Sequence, residues 1–184
     1  MIELIPNWHP VFVHFTVALL ALAIVLHWLT LLPLPPALRA DWKIVARWLL
    51  WLGALFAIAT AVTGWLAYNS VEHDDVSHAA MLEHRNWALV TLGLFLSVAA
   101  WSVWSHWRSR QTGRANWFFS LALVAGAILL SSTAWHGAEL VYRYGLGVMS
   151  MPNSTKPTAH LDGDTHSTTP AVKPSAHDHS THQH

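Results

Sequence analysis

The chain has 184 residues, 53% of them hydrophobic, with 10 acidic and 10 basic side chains, 14 histidines, 12 tryptophans and no cysteine. So few charges cannot cover an ordinary water-exposed surface, and a net charge of zero gives nothing to attract nucleic acid. The absence of thiols excludes disulfides, thiolate-held iron–sulfur clusters, Cys-attached haem and thiolate metal sites, which leaves cofactor chemistry to imidazole, carboxylate and carbonyl groups.

Four stretches are free of Asp, Glu, Lys and Arg: Leu4 to Leu38, Trp48 to Val71, Asn86 to Trp107 and Ala115 to Ala138. Each holds the roughly 20 apolar residues that a membrane-crossing helix needs, and none shows the period-two alternation of a barrel strand. The expected fold is all-α, an integral membrane four-helix bundle over residues 1–148 with spans near 10–32, 46–69, 86–107 and 116–140. A disordered, His-rich C-terminal tail is expected over 149–184.

Taken in order, "MIELIPN" lacks the basic region of a signal peptide, so the first span is expected to be retained. In "WHPVFVHF", Pro10 suits the first helical position; His9 then lies at the helix mouth and His14 about 6 Å deeper than Pro10. Prolines in "LPLPPALRADWKIVAR" end this helix, and the loop carries Arg39, Lys43 and Arg47. The second span presents Gly53, Ala57, Thr60 and Gly64, ending at Tyr68, as a row of small residues at helical spacing. The following turn, "VEHDDVSHAAMLEHR", is acidic and holds His73, His78 and His84. After the third span, "RSRQTGR" adds Arg108, Arg110 and Arg114. The fourth span ends in "SSTAWHGAELVYRYG", which puts His136 about 4.5 Å inside Glu139, behind a row of Ala125, Leu129 and Ser132. Trp8, Trp48, Trp87, Trp107 and Trp117 near the span ends read as interface anchors, and no internal repeat emerges from the sequence.

With four spans, the two basic loops share one side, where Asp41 is the lone acid. The positive-inside rule makes that side cytoplasmic, placing both termini in the periplasm of a bacterial inner membrane. His9, His14, His73, His78, His84 and His136 then share the outer leaflet, whereas His27 and His106 lie towards the other face and could pair there. Ionisable groups at membrane depth are functional candidates because burying them in lipid is costly.

Two imidazoles at matched depth on different helices suit axial ligation of haem b, with His14 and His136 the first pair, His84 the first substitute and His9 a neighbouring group. A second chemistry uses Asp74, Asp75, His78, Glu83, His84, His136 and Glu139 as a carboxylate and imidazole site for non-haem Fe or for Cu, Zn or Ni. Tail residues His160, His166, His177, His179, His182 and His184 could add loose capture of Cu, Zn or Ni. A third makes the histidines hydrogen-bonding groups between helices in a structural or scaffolding protein. No nucleophile pattern stands out, so an electron carrier or binding protein is expected rather than an enzyme.

"HPVFVHFTVALL" resembles the opening signature of the bacterial membrane-protein family called domain of unknown function 2231. "TGWLAYNSVEHD", "HRNWALVTL" and "GAELVYRYGLGV" resemble its later blocks, so that the likeness runs over about residues 5–149. The resemblance implies a four-span inner-membrane bundle similar in outline to cytochromes b. It also implies a redox role with a Rieske-type or other redox partner, and motif histidines at His9, His14, His84 and His136. The chain departs from the family pattern at Thr16, where relatives often carry proline, and at Ala138, where a second glycine is common.

Overall fold

The computed structural model describes residues 8–70, 75–108 and 113–146, and the described chain is four helices: α1 (His9–Leu29), α2 (Pro36–Ser70), α3 (Asp75–Trp107) and α4 (Gly113–Tyr142). All four are long and apolar enough to cross a membrane. At 1.5 Å per residue the 21 residues of α1 span about 32 Å, close to the hydrocarbon thickness. The 35 residues of α2 and the 33 of α3 reach roughly 50 Å, so both extend beyond the lipid core.

The helix ends differ from those expected. α1 stops at Leu29 because Pro33, Pro35 and Pro36 follow, and the Thr30 hydroxyl caps it by donating to the His27 carbonyl at 2.7 Å. α2 begins at Pro36 rather than near residue 46: a proline in the first turn loses no helical hydrogen bond, so the basic loop is already helix. α3 begins at Asp75 rather than near residue 86, which puts His78 and Glu83 on a helix instead of a turn. α4 closes with Gly145 at φ 63°, whose amide donates to the Val141 carbonyl, a left-handed cap that glycine adopts without strain.

α1 packs most extensively on α2 and α3 on α4, and the two antiparallel hairpins join through α2 with α3 and, over a shorter stretch, α1 with α4. The core is a thin seam in which Leu20, Leu50, Phe95 and Leu123 are almost fully enclosed. Leu55, Val62, Leu66, Val90 and Ile128 point outward, as lipid-facing residues do in a bundle whose solvent is itself apolar.

The structure shows an internal repeat. "LWLGALFAIATAVTG" (50–64) and "LVAGAILLSSTAWHG" (123–137) share Leu, Gly, Ala, Thr, Ala and Gly at the same positions. On the partner helices His9, Thr16 and Leu20 have the spacing of His84, Thr91 and Phe95. Leu20 fills the space over Gly53, and Phe95 the space over Gly126. The Thr16 and Thr60 hydroxyls bond at 2.7 Å, and Thr91 and Thr133 at 2.8 Å. α1–α2 and α3–α4 are thus two copies of one hairpin, a likeness carried by few residues and visible once their contacts are compared.

Interhelical hydroxyl bonds in membranes contribute about 0.6 kcal/mol on average, because the unfolded chain in lipid also finds partners. Thr16→Val and Thr91→Val should therefore each lower unfolding stability in detergent by less than about 1 kcal/mol, with nearly equal effects on the two hairpins.

Candidate functional site

Along α1, positions 9, 16, 20, 23 and 24 share one face by helical periodicity, and that face is turned into the bundle. Position 14 lies roughly 140° round the helix from position 9. His14 is accordingly exposed, and its Nδ1 donates to the Pro10 carbonyl at 2.6 Å. The structure does not turn His14 into the interior with His136; at this end of α1 the inward imidazole is His9.

His9 Nδ1 donates to the Thr60 carbonyl of α2 at 3.1 Å, with the Thr63 hydroxyl 3.5 Å away, and its ring lies on Gly64. With the proton on Nδ1, Nε2 carries the lone pair. A methyl group at Gly64 would sit 2.9 Å from the His9 ring, so glycine is what lets the imidazole lie against α2. His84 occupies the matching place on α3. Its ring lies on Gly137 of α4, it faces the backbone of Thr133, and it is within electrostatic reach of both His9 and His136. Its Nδ1 is buried and its contact with that backbone is loose.

His136 belongs to the same end but to a different environment. Its Nδ1 donates to the Ser132 carbonyl at 2.8 Å, its ring stacks on Trp87 with centroids 5.7 Å apart, and its Nε2 stands 3.3 Å from the Glu83 carboxylate. Trp87 is therefore a wall of the site rather than a free interface anchor. Beside this pair opens a cavity of about 380 Å³ lined by Ala79, Ala80, Glu83, His136, Glu139, Arg143 and Tyr144. Glu139 is taken by Arg143 one turn along α4. Arg85 lies over the Tyr68 ring at 5.7 Å with its Nε buried and unpartnered, and the His78 ring lies 5.9 Å from the same tyrosine.

The structure thus gathers His9, His84, His136, Glu83 and Glu139 at one end of the bundle. Asp74 and the tail residues His177, His179, His182 and His184 lie outside the described residues. Among the described residues no three His, Asp or Glu side chains converge as a metal-ligand set. At the opposite end His27 bonds the Ser120 hydroxyl at 2.9 Å, while His106 is exposed beside Trp51 at 6.0 Å, so these two do not form a second pair. The small-residue row on α2 is turned into the bundle, with Gly53 and Ala57 buried and Thr60 bonded to Thr16, and the room at Gly53 and Gly64 is filled by Leu20 and His9. On α4 the interior row runs through Gly126, Thr133 and Gly137, one residue beyond Ala125, Ser132 and His136. The signal that would have found it is the spacing of glycine and threonine repeated from α2.

Four apolar helices with a polar, imidazole-rich end define a multi-pass helical membrane protein. The family described as predicted membrane protein (DUF2231) matches residues 6–150, and the chain belongs to that family. No curated protein and no solved structure is similar enough to the chain to be matched to it.

Proposed function

We propose that this protein is a bacterial inner-membrane electron carrier that holds haem b at its histidine-bearing end, with that end and both termini on the periplasmic side. The observation that carries the reading is the placing of His9 and His84 at the same end of the bundle, each ring against a glycine of the neighbouring helix, with the Nε of Arg85, next to His84 in the chain, buried and unpartnered. A buried nitrogen left in that state costs free energy unless something satisfies it. The donor set suits haem: imidazoles from different helices, two of them seated against glycines, and no thiolate. Haem, when bound, supplies a one-electron couple. The Thr60 carbonyl holds the His9 tautomer, and the unpartnered Arg85 Nε offers a donor to a propionate.

Sidedness follows from the sequence positions of Arg39, Lys43 and Arg47 between the first and second spans and of Arg108, Arg110 and Arg114 between the third and fourth, which positive-inside insertion keeps in the cytoplasm. A redox partner, of the Rieske type or another, would dock at the histidine-bearing end. The test is a dithionite-reduced minus oxidised spectrum of the full chain, purified in mild detergent and supplied with hemin. A sharp α-band with about one iron per chain is expected. A flat spectrum from folded, hemin-treated protein would end the haem reading.

A further inference from the structure

The two hairpins carry the same histidine in the same pose. A methyl group added at Gly64 would meet His9 Cε1, Nδ1 and Nε2 at 2.9, 3.1 and 3.6 Å; one added at Gly137 would meet the same atoms of His84, in the same order, at 3.1, 3.5 and 3.8 Å. Both rings therefore lie on their glycine with the Cε1 and Nδ1 edge closest. Each faces the backbone of the threonine four residues earlier on that helix, Thr60 or Thr133. One turn and more below, each hairpin closes the same hydroxyl pair, at 2.7 and 2.8 Å, and fills its deeper glycine with Leu20 or Phe95. The two environments are alike from the helix mouth to the core.

Since α1 and α3 cross the bundle in the same direction, the copies are parallel repeats, related by an axis along the membrane normal. Equivalent groups under such an axis lie at the same depth on opposite sides of it, and His9 and His84 lie within electrostatic reach of one another. Neither His14 nor His136 has a histidine counterpart. The counterpart of His14 is Leu89, which like His14 is exposed, and that of His136 is Thr63. His136 is also committed elsewhere, with Nδ1 on its own helix and Nε2 towards Glu83.

A planar macrocycle that takes one nitrogen on each side needs two imidazoles whose Nδ1 edges are held by backbone, a tautomer that leaves the lone pair on Nε2. His9 meets this condition through the Thr60 carbonyl. His84 meets it when the loose contact of its Nδ1 with the Thr133 backbone closes. Resting on the haem reading above, we infer that His9 and His84 are the two axial ligands of a single haem on the pseudo-two-fold axis between the hairpins, with His136 beside the site rather than in it.

The experiment is the same difference spectrum, with electron paramagnetic resonance, on hemin-loaded wild type and on His9→Ala, His84→Ala, His14→Ala and His136→Ala. Loss of the low-spin signal in both His9→Ala and His84→Ala, recovered in each by free imidazole filling the vacated space, is the expected result. Recovery separates a lost ligand from a lost fold. His14→Ala and His136→Ala should keep the low-spin band. A low-spin band that survives in His9→Ala or His84→Ala overturns the pair while leaving haem binding intact, as does an imidazole-rescued loss in His136→Ala. Haem missing from wild type removes the underlying reading and the pair with it.

Discussion

Gly53→Leu should be among the most damaging single substitutions in the bundle, lowering unfolding stability by about 3 kcal/mol or preventing the first hairpin from closing. A Cβ at residue 53 would stand 2.6 Å from Leu20 Cδ2, 2.9 Å from Leu20 Cγ and 3.3 Å from Leu19 Cβ. Leu20 is 1% exposed and cannot swing away into open space. Membrane helices associate through close packing, because lipid supplies no hydrophobic force between them, so lost contact between α1 and α2 is not compensated by burial. Even Gly53→Ala should destabilise, although helix propensity alone favours alanine by about 1 kcal/mol. Gly93 is the control: nothing lies within 4 Å of a Cβ there, and Gly93→Ala should be neutral or stabilising. Reversible unfolding in mixed micelles reads all three. Coupling is checked by Leu20→Ala, which should cost several kcal/mol alone but recover part of the loss when combined with Gly53→Leu. Additive effects of the two would show that Leu20 is not what makes residue 53 a glycine.

The legible part of the fold was the part written in long-range composition. Uncharged runs of about 20 residues fix the number of helices, because lipid leaves the backbone no alternative partner. Helix ends were less legible. Pro36 reads as a breaker after α1, yet it opens α2, and the charges of Arg39, Asp41 and Lys43 mark where the lipid stops and not where the helix starts. The acidic segment before His84 misled in the same way, since α3 runs beyond the hydrocarbon as far as Asp75.

The site was legible in its residues and not in its faces. His9, His84 and His136 were candidates, but depth alone made His14 the partner of His136, and depth takes no account of rotation about the helix axis. A five-residue step turns His14 away from the face that His9, Thr16 and Leu20 share. In a membrane bundle this ambiguity is general, since both the lipid face and the core face are apolar and the sequence lacks the polar stripe that orients a helix in water. What orients these helices is the position of glycine and threonine. That signal is short, and on α4 the neighbouring row through Ala125, Ser132 and His136 hides it.

Gly64→Leu and Gly137→Leu should each empty the proposed haem site while leaving the chain in the membrane. The ring of His9 lies on Gly64 and the ring of His84 on Gly137, with a bare Cβ already 2.9 and 3.1 Å from the respective Cε1 atoms. A branched side chain would push either imidazole out of the place it holds against its helix. Both glycines sit near the end of the bundle, and the core cluster around Leu20, Leu50, Phe95 and Leu123 is remote from them in sequence. The folding cost should therefore fall below that of Gly53→Leu. The graded pair is the informative one. Gly137→Ala asks the His84 ring to give by a few tenths of an ångström and should retain much of its haem, whereas Gly64→Ala forces a real displacement and should retain less. Supporting groups around metal ligands commonly change affinity by about 10- to 100-fold, so hemin titration followed at the α-band resolves the series. Hemin affinity in Gly64→Leu and Gly137→Leu equal to that of wild type would mean that neither imidazole pose matters for the cofactor, and would count against both His9 and His84 as its ligands.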